Sequence, residues 1–177
     1  MITNITLTTK EKYLLEDART HEEQCILKYD NYANLACDAE LKGVFRSNSQ
    51  KEKEHLQTIN QLLKGQVPSM GGQSGQTNNQ QQSGSQSMQN SSQMPQSQQA
   101  SIDQQSSGMA SFKASDKDMC IDMLNTEKYV SGSYDTTIFE FKDAQVRDVL
   151  NHIQKEEQKH GEAIFTYMMN KGMYTPK

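Results

Sequence analysis

The chain has 177 residues, a net charge of −4, no tryptophan and a mean hydropathy of −0.87. With no stripe of basic residues to meet a phosphate backbone, the sequence excludes nucleic acid as a partner. The sequence has no apolar run long enough to span a bilayer, so we also expect no membrane insertion.

The first predicted element is a helical hairpin over residues 8–65. Thr8 and Glu11 have the spacing of a capping box, which predicts the start of helix one. Asp38 is a good N-cap for helix two, and Gly65 is a good stop. Residues spaced alternately by three and four positions predict the inward face of each helix. They are Leu15, Ala18, Glu22, Cys25, Tyr29, Ala33 and Ala36 in helix one, and Leu41, Phe45, Asn48, Glu52, His55, Ile59 and Leu62 in helix two.

A polar segment over residues 66–110 follows the first hairpin. Of its 45 residues, 14 are Gln and 11 are Ser, and Asp103 carries its single charge. Such a composition buries too little apolar surface to offset the entropy of ordering, so we predict a disordered linker. Its length suits a crossover connection, which runs the length of a helical bundle.

A second helical hairpin is predicted over residues 111–174. Ser115 to Asp118 open helix three, Asp143 caps helix four, and Asn170 to Gly172 end it. The inward residues are Cys120, Met123, Glu127, Val130, Tyr134, Ile138 and Phe141 in helix three, and Val146, Leu150, Ile153, Glu157, His160, Ile164 and Tyr167 in helix four.

The two hairpins look like copies of one unit. A shift of 105 positions, without gaps, places Tyr29-Asp30 on Tyr134-Asp135 and Asp38-Ala39 on Asp143-Ala144. The sequence therefore predicts an all-α fold, a four-helix bundle made of two duplicated hairpins.

The same shift superimposes six candidate metal ligands. Each hairpin has a Glu on its first helix and a Glu-x-x-His pair on its second helix, and such sets build dinuclear carboxylate sites in four-helix bundles. Four buried carboxylates would repel one another unless cations neutralise them, and two divalent ions balance their charge. The mixed carboxylate and imidazole set favours two iron or manganese ions, with zinc as the alternative. The predicted ligands are Glu22, Glu52, His55, Glu127, Glu157 and His160.

Some neighbours of these ligands have two possible roles, and others are expected to face solvent. Tyr29 and Tyr134 lie on the same faces as the ligands, and either hydrogen bonds to the carboxylates or plain core packing would explain them. Glu23, Glu54 and Glu156 are expected to face outward and are not included in the site.

Four segments of the chain carry a family resemblance. They are Asp143 to Asp148 and the ending Tyr167 to Tyr174 in the second hairpin, and Leu7 to Glu11 and Glu22 to Cys25 in the first. In these segments the chain resembles the Coat F family of bacterial spore coat proteins. This resemblance implies a ferritin-like fold and a place in the spore coat, assembled from the mother-cell cytoplasm among other coat proteins. The absence of a secretory signal at the N-terminus agrees with that expectation.

The wider ferritin-like superfamily has a similar ligand pattern, which implies particular roles. Glu22 and Glu127 would be terminal ligands, Glu52 and Glu157 bridging ligands, and each histidine would bind one ion.

Two functions are therefore expected. The first is a structural coat protein that carries the metal site, with other coat proteins and further copies of this chain as its expected partners. The alternative is a di-iron or di-manganese oxidase or peroxide-consuming enzyme of the ferritin-like superfamily.

Overall fold

The computed structural model describes residues 3–68 and 115–175, and within them the chain forms four long helices and two very short strands. The described parts of the two hairpins belong to one compact unit. The predicted all-helical four-helix bundle is confirmed, whereas residues 69–114, which make up most of the predicted linker, lie outside the described residues. The helices are α1 (Thr9–Leu35), α2 (Ala39–Leu63), α3 (Asp116–Phe139) and α4 (Ala144–Asn170).

The predicted helix starts are the observed ones, whereas α1 and α3 end at Leu35 and Phe139, short of the predicted Ala36 and Phe141. Thr8 and Ser115 each form a capping box with the residue three positions later, so the first amides of α1 and α3 are satisfied. Asp38 and Asp143 accept hydrogen bonds from the first amides of α2 and α4. After α2, Gly65 has a φ of +74°, the left-handed conformation in which glycine commonly ends a helix.

Two apolar clusters fill the bundle. One gathers the start of α1, the end of α2, the end of α3 and the start of α4, and includes Leu15, Leu62 and Leu150. The other gathers the opposite helix ends and includes Phe45, Met123 and Ile164. The central turns of all four helices, which carry the predicted ligands, therefore lie between two apolar layers that limit the access of water.

The inward faces were predicted almost completely. Every residue assigned to them is buried except Ile138, which is half-buried, while the neighbouring Thr137 is buried in its place. Thr137 tolerates burial because its hydroxyl donates to the carbonyl of Ser133, one turn earlier, at 2.9 Å.

A short strand pair was not predicted. Strand β1 (Thr3–Asn4) pairs antiparallel with β2 (Gln66–Val67), and the Ile5 amide donates to the Gly65 carbonyl at 2.8 Å. Val67 is buried against the apolar cluster at this end of the bundle. The assignment of the linker to residues 66–110 was therefore wrong at its start, because Gln66 and Val67 are held by backbone hydrogen bonds.

Each hairpin also supports the turn of the other. Glu11, at the start of α1, accepts from the Lys142 amide in the α3–α4 turn at 3.1 Å. Asp116, at the start of α3, accepts from the amides of Cys37 and Asp38 in the α1–α2 turn at 2.8 and 2.9 Å. Glu11 and Asp116 are 105 positions apart in the sequence, so these contacts are related by the same shift as the candidate ligands.

The start of α3 consequently lies at the end of the bundle where α2 begins. A helix of 25 residues is about 37 Å long, so the chain must return over roughly that distance between the end of α2 and the start of α3. None of the described helices is sufficiently long and apolar to cross a membrane.

Candidate metal centre

The six predicted ligands converge at the centre of the bundle. Two groups of four residues each have one potential ligand atom per residue within 4.8 Å of the others. One group contains Glu22 and His55, the other Glu127 and His160, and both contain Glu52 and Glu157. This sharing is the arrangement required for two ions bridged by two carboxylates, and all six residues are buried.

Both imidazole rings direct Nδ1 towards the carboxylates. His55 Nδ1 lies 3.1 Å from an oxygen of Glu157 and 3.2 Å from an oxygen of Glu52. His160 Nδ1 lies 3.1 Å from the other oxygen of Glu52 and 3.4 Å from the other oxygen of Glu157. The rings are stacked with centroids 5.6 Å apart, so the two Nδ1 atoms face one shared space between Glu52 and Glu157.

Several of these closely spaced oxygen and nitrogen atoms form no hydrogen bond. Among the described residues, buried oxygens of all four glutamates and both ring nitrogens of His160 have no hydrogen-bond partner. Buried polar groups in folded proteins are nearly always paired, so such a concentration of unpaired acceptors requires an explanation. Divalent cations supply one, because a cation bound by several of these atoms would satisfy them together. The residues present therefore fit a dinuclear metal site.

The terminal carboxylates are held by tyrosines of the opposite hairpin. The Tyr29 hydroxyl on α1 donates to Glu127 Oε1 on α3, and the Tyr134 hydroxyl on α3 donates to Glu22 Oε1 on α1. Asn48 donates to the Tyr29 oxygen at 3.1 Å. Both tyrosines are buried, so they contribute to the core and orient the carboxylates at the same time.

Glu156 was predicted to face outward, and this prediction was wrong. Its Oε2 lies 3.0 Å from Nε2 of His55, the ring nitrogen that points away from the carboxylate cluster. Its side chain is only 16% exposed. A carboxylate on the far nitrogen of a metal-binding imidazole fixes the ring and increases its basicity, so Glu156 would serve a metal site here as a positioning residue. Glu23 and Glu54 are exposed as predicted.

The two histidines are not equivalent in this respect. The residue that corresponds to Glu156 in the first hairpin, 105 positions earlier, is Lys51, which offers no acceptor. Nε2 of His160 is buried without a hydrogen-bond partner in the described structure. Two similar ligand sets therefore lie in two different environments.

Burial raises the pKa of the terminal carboxyl groups. The pKa values of Glu22 and Glu127 are each raised to about 8, first by loss of solvent and then by the neighbouring carboxylates. Both groups therefore tend to hold a proton at neutral pH when no metal is bound.

The bridging carboxylates and the imidazole rings, in contrast, tend to be charged when no metal is bound. Burial opposes ionisation of Glu157, but its contacts with His160 and His55 outweigh that effect and lower its pKa to about 2. The pKa of Glu52 is lowered in the same way. Burial alone would lower the pKa of His160, yet its contacts with Glu127, Glu157 and Glu52 raise it to about 11. Burial opposes ionisation of His55 too, but its contacts with the surrounding carboxylates raise its pKa. Without metal, two imidazolium ions therefore balance the two bridging carboxylates.

The fold and the site together define a four-helix bundle with a buried carboxylate–histidine cluster of dinuclear geometry. Residues 115–177, which include α3 and α4, match the family model of the Coat F domain. The match confirms the predicted resemblance for this part of the chain. No curated protein and no solved structure matches the chain. For the first hairpin the resemblance stays a prediction.

Proposed function

We propose that this protein is a spore coat or coat-associated building block whose bundle is held together at its centre by a dinuclear metal site. The Coat F domain supports the coat assignment. The observation that supports the metal site is the pair of four-residue groups that share Glu52 and Glu157. In this proposal the fold is ferritin-like, the ions are iron or manganese with zinc as the alternative, and other coat proteins are the partners.

Each residue has a defined role when metal is bound. Glu22 and His55 would hold one ion, Glu127 and His160 the other, and Glu52 and Glu157 would bridge them. The phenols of Tyr29 and Tyr134 would keep the terminal carboxylates oriented, since they already donate to Glu127 and Glu22. Because ligands from both hairpins share the two ions, metal would cross-link α1 and α2 to α3 and α4.

The metal proposal can be tested on the purified full-length chain. After removal of metal with a chelator, titration with Mn²⁺ or Fe²⁺ should load about two ions per chain and raise the melting temperature. Glu52→Ala should abolish binding of both ions, because this carboxylate belongs to both groups. Glu54→Ala, an exposed change on the same helix, is the matched control and should bind as the parent does. Failure of the parent to bind Mn²⁺, Fe²⁺ or Zn²⁺ would refute the metal site.

The coat assignment needs a separate test. A tagged copy should be made in the mother cell during sporulation and be recovered in the coat fraction of mature spores. Abundant protein in vegetative cells, with none in the coat fraction, would contradict this assignment.

An oxidoreductase of the ferritin-like type is the second proposal. The observation that favours it is the complete set of six candidate ligands, in two groups that share Glu52 and Glu157. Structural cross-linking of the helices alone would not require two metal sites to share ligands in this way. A pair of such ions can supply electrons to dioxygen or peroxide. Assays of peroxide consumption and Fe²⁺ oxidation on the metal-loaded protein test it, and no turnover with iron or manganese would leave the structural proposal alone.

A further inference from the structure

A cleft between α3 and α4 leads from the surface to the candidate ligands. Its volume is about 250 Å³. Its lining includes the exposed Lys128, the apolar Leu124, Gly161, and the buried Glu127 and Glu157. The lining therefore extends from an exposed lysine to two of the candidate ligand residues.

The two carboxylates at the base have unused acceptor capacity. Glu157 is fully buried and Glu127 is 3% exposed. Both oxygens of Glu157 and Oε2 of Glu127 have no hydrogen-bond partner in the described structure. A cation in the cleft would thus lie beside two buried residues whose carboxylate oxygens are unpaired.

Gly161 lines this cleft, and the backbone conformation does not require a glycine at this position. It lies inside α4 and its φ is not positive, so an ordinary residue can adopt its backbone conformation. Glycine in a helix interior costs about 1 kcal/mol relative to alanine, so its presence needs another account. A Cβ built at Gly161 would meet Leu124 Cδ2 at 3.9 Å, on the wall of the cleft.

The first hairpin has a bulkier residue at the corresponding position. Subtracting the repeat shift of 105 from Gly161 gives Leu56, and subtracting it from Ser131 gives Ile26. Both replacements add apolar volume where the second hairpin has a glycine and a serine. The duplicated halves therefore differ at the wall of this cleft.

We propose that the cleft beside Gly161 is the port through which divalent metal ions enter and leave the centre. This inference rests on the proposed function, because it needs a site that binds metal. A port controls rates without changing the bound state, so closing it should slow entry and exit by the same factor and leave the affinity unchanged. Damage to the ligands would instead change the affinity.

Co²⁺ is a suitable probe, since its visible absorption reports binding directly. Gly161→Leu copies the residue of the other hairpin and should slow both Co²⁺ uptake and its loss to a chelator by about tenfold or more, with an unchanged equilibrium constant. Gly161→Ala should give a smaller effect, because a Cβ makes only an ordinary contact there. Gly132→Leu is the matched control: a Cβ at this exposed glycine of α3 meets nothing within 4 Å, and the rates should match those of the parent.

The possible results separate the two proposals. If the parent chain binds no Co²⁺ and no other divalent ion, the metal site itself is refuted. If the parent binds Co²⁺ but Gly161→Leu exchanges it at the parent rate, the port is refuted while the metal site stands. A changed equilibrium constant in Gly161→Leu, with the same melting temperature as Gly132→Leu, would also overturn the port, because it would locate the effect in the ligands.

Discussion

Tyr29 of the first hairpin donates its phenolic hydrogen to Glu127 of the second, a residue 98 positions away in the sequence. The contact joins α1 to α3 at the level of the candidate metal centre. It means that the orientation of a terminal carboxylate in one hairpin depends on a side chain of the other hairpin.

Tyr29→Phe should weaken metal binding. Without the hydroxyl, Glu127 Oε1 and the Asn48 amide lose their partner, and removal of such an outer contact commonly lowers metal affinity about 10- to 100-fold. Isothermal titration with Mn²⁺ measures the change. The control is Tyr32→Phe, which removes a hydroxyl that donates to Asp122 at 2.8 Å, outside the centre. Equal losses of affinity in the two variants would show that the Tyr29 bond has no specific role.

Glu22→Gln should change stability in opposite directions with and without metal. In the metal-free protein, the folded pKa of Glu22 is about 8, above its ordinary value of 4.5, so stability is lost as the pH rises from 4.5 to 8. Glutamine has no proton to lose, so the metal-free variant should be more stable than the parent at pH 8, by about 2–4 kcal/mol, and similar to it at pH 4. In saturating Mn²⁺ the parent should be the more stable protein. Denaturant unfolding at both pH values, with the exposed Glu23→Gln as control, tests both signs.

Metal binding should release protons in a pH-dependent number. At pH 7 the metal-free centre holds a proton on each of Glu22 and Glu127 and an additional proton on each histidine, so loading two ions should release about four protons. Above pH 9 the two glutamates are already ionised, and the release should fall to about two. Titrations in buffers of different ionisation enthalpy count the protons. A release of fewer than two at pH 7 would contradict the assigned protonation.

Glu156→Gln should weaken the ion bound by His55 more than the ion bound by His160. Glu156 accepts from Nε2 of His55, and loss of its charge should cost that ion about 10-fold or more in affinity. The Mn²⁺ titration should therefore separate into two steps. Glu54→Gln, an exposed change on α2, should leave the titration unaltered. A uniform weakening of both ions in Glu156→Gln would argue against the inequivalence of the two histidines.

Much of the bundle could be predicted because helical spacing and burial coincide. Glu22, Glu52 and Glu157 occupy positions of the apolar stripes, and a carboxylate at such a position indicates a function. The capping residues Thr8 and Asp38 act within a few residues of the chain, so their roles are visible in local sequence.

Features that depend on the spacing between helices could not be read in this way. Glu156 lies beside Glu157 in sequence, and its contact with His55 arises only because α2 and α4 are adjacent. The bond from Lys142 to Glu11 likewise joins residues far apart in sequence. Strand β1 has only two residues, too few for an alternating pattern to show.

Cleavage of the linker should leave the bundle intact. We expect limited proteolysis between Gly71 and Ser107 to give two fragments that still elute together in native size exclusion, because the two apolar clusters each combine residues of both hairpins. Denaturation should separate the fragments. Separation under native conditions would show that the hairpins are independent modules.

The supports at the two turns have a consequence for assembly. Glu11 and Asp116 each satisfy backbone amides of the opposite hairpin, and three of the six candidate ligands come from each side. Each hairpin therefore depends on the other for the hydrogen bonds of its turn and for half of the candidate ligands. Exchange of a hairpin between neighbouring chains would preserve every one of these contacts, because each of them joins a residue of one hairpin to a residue of the other.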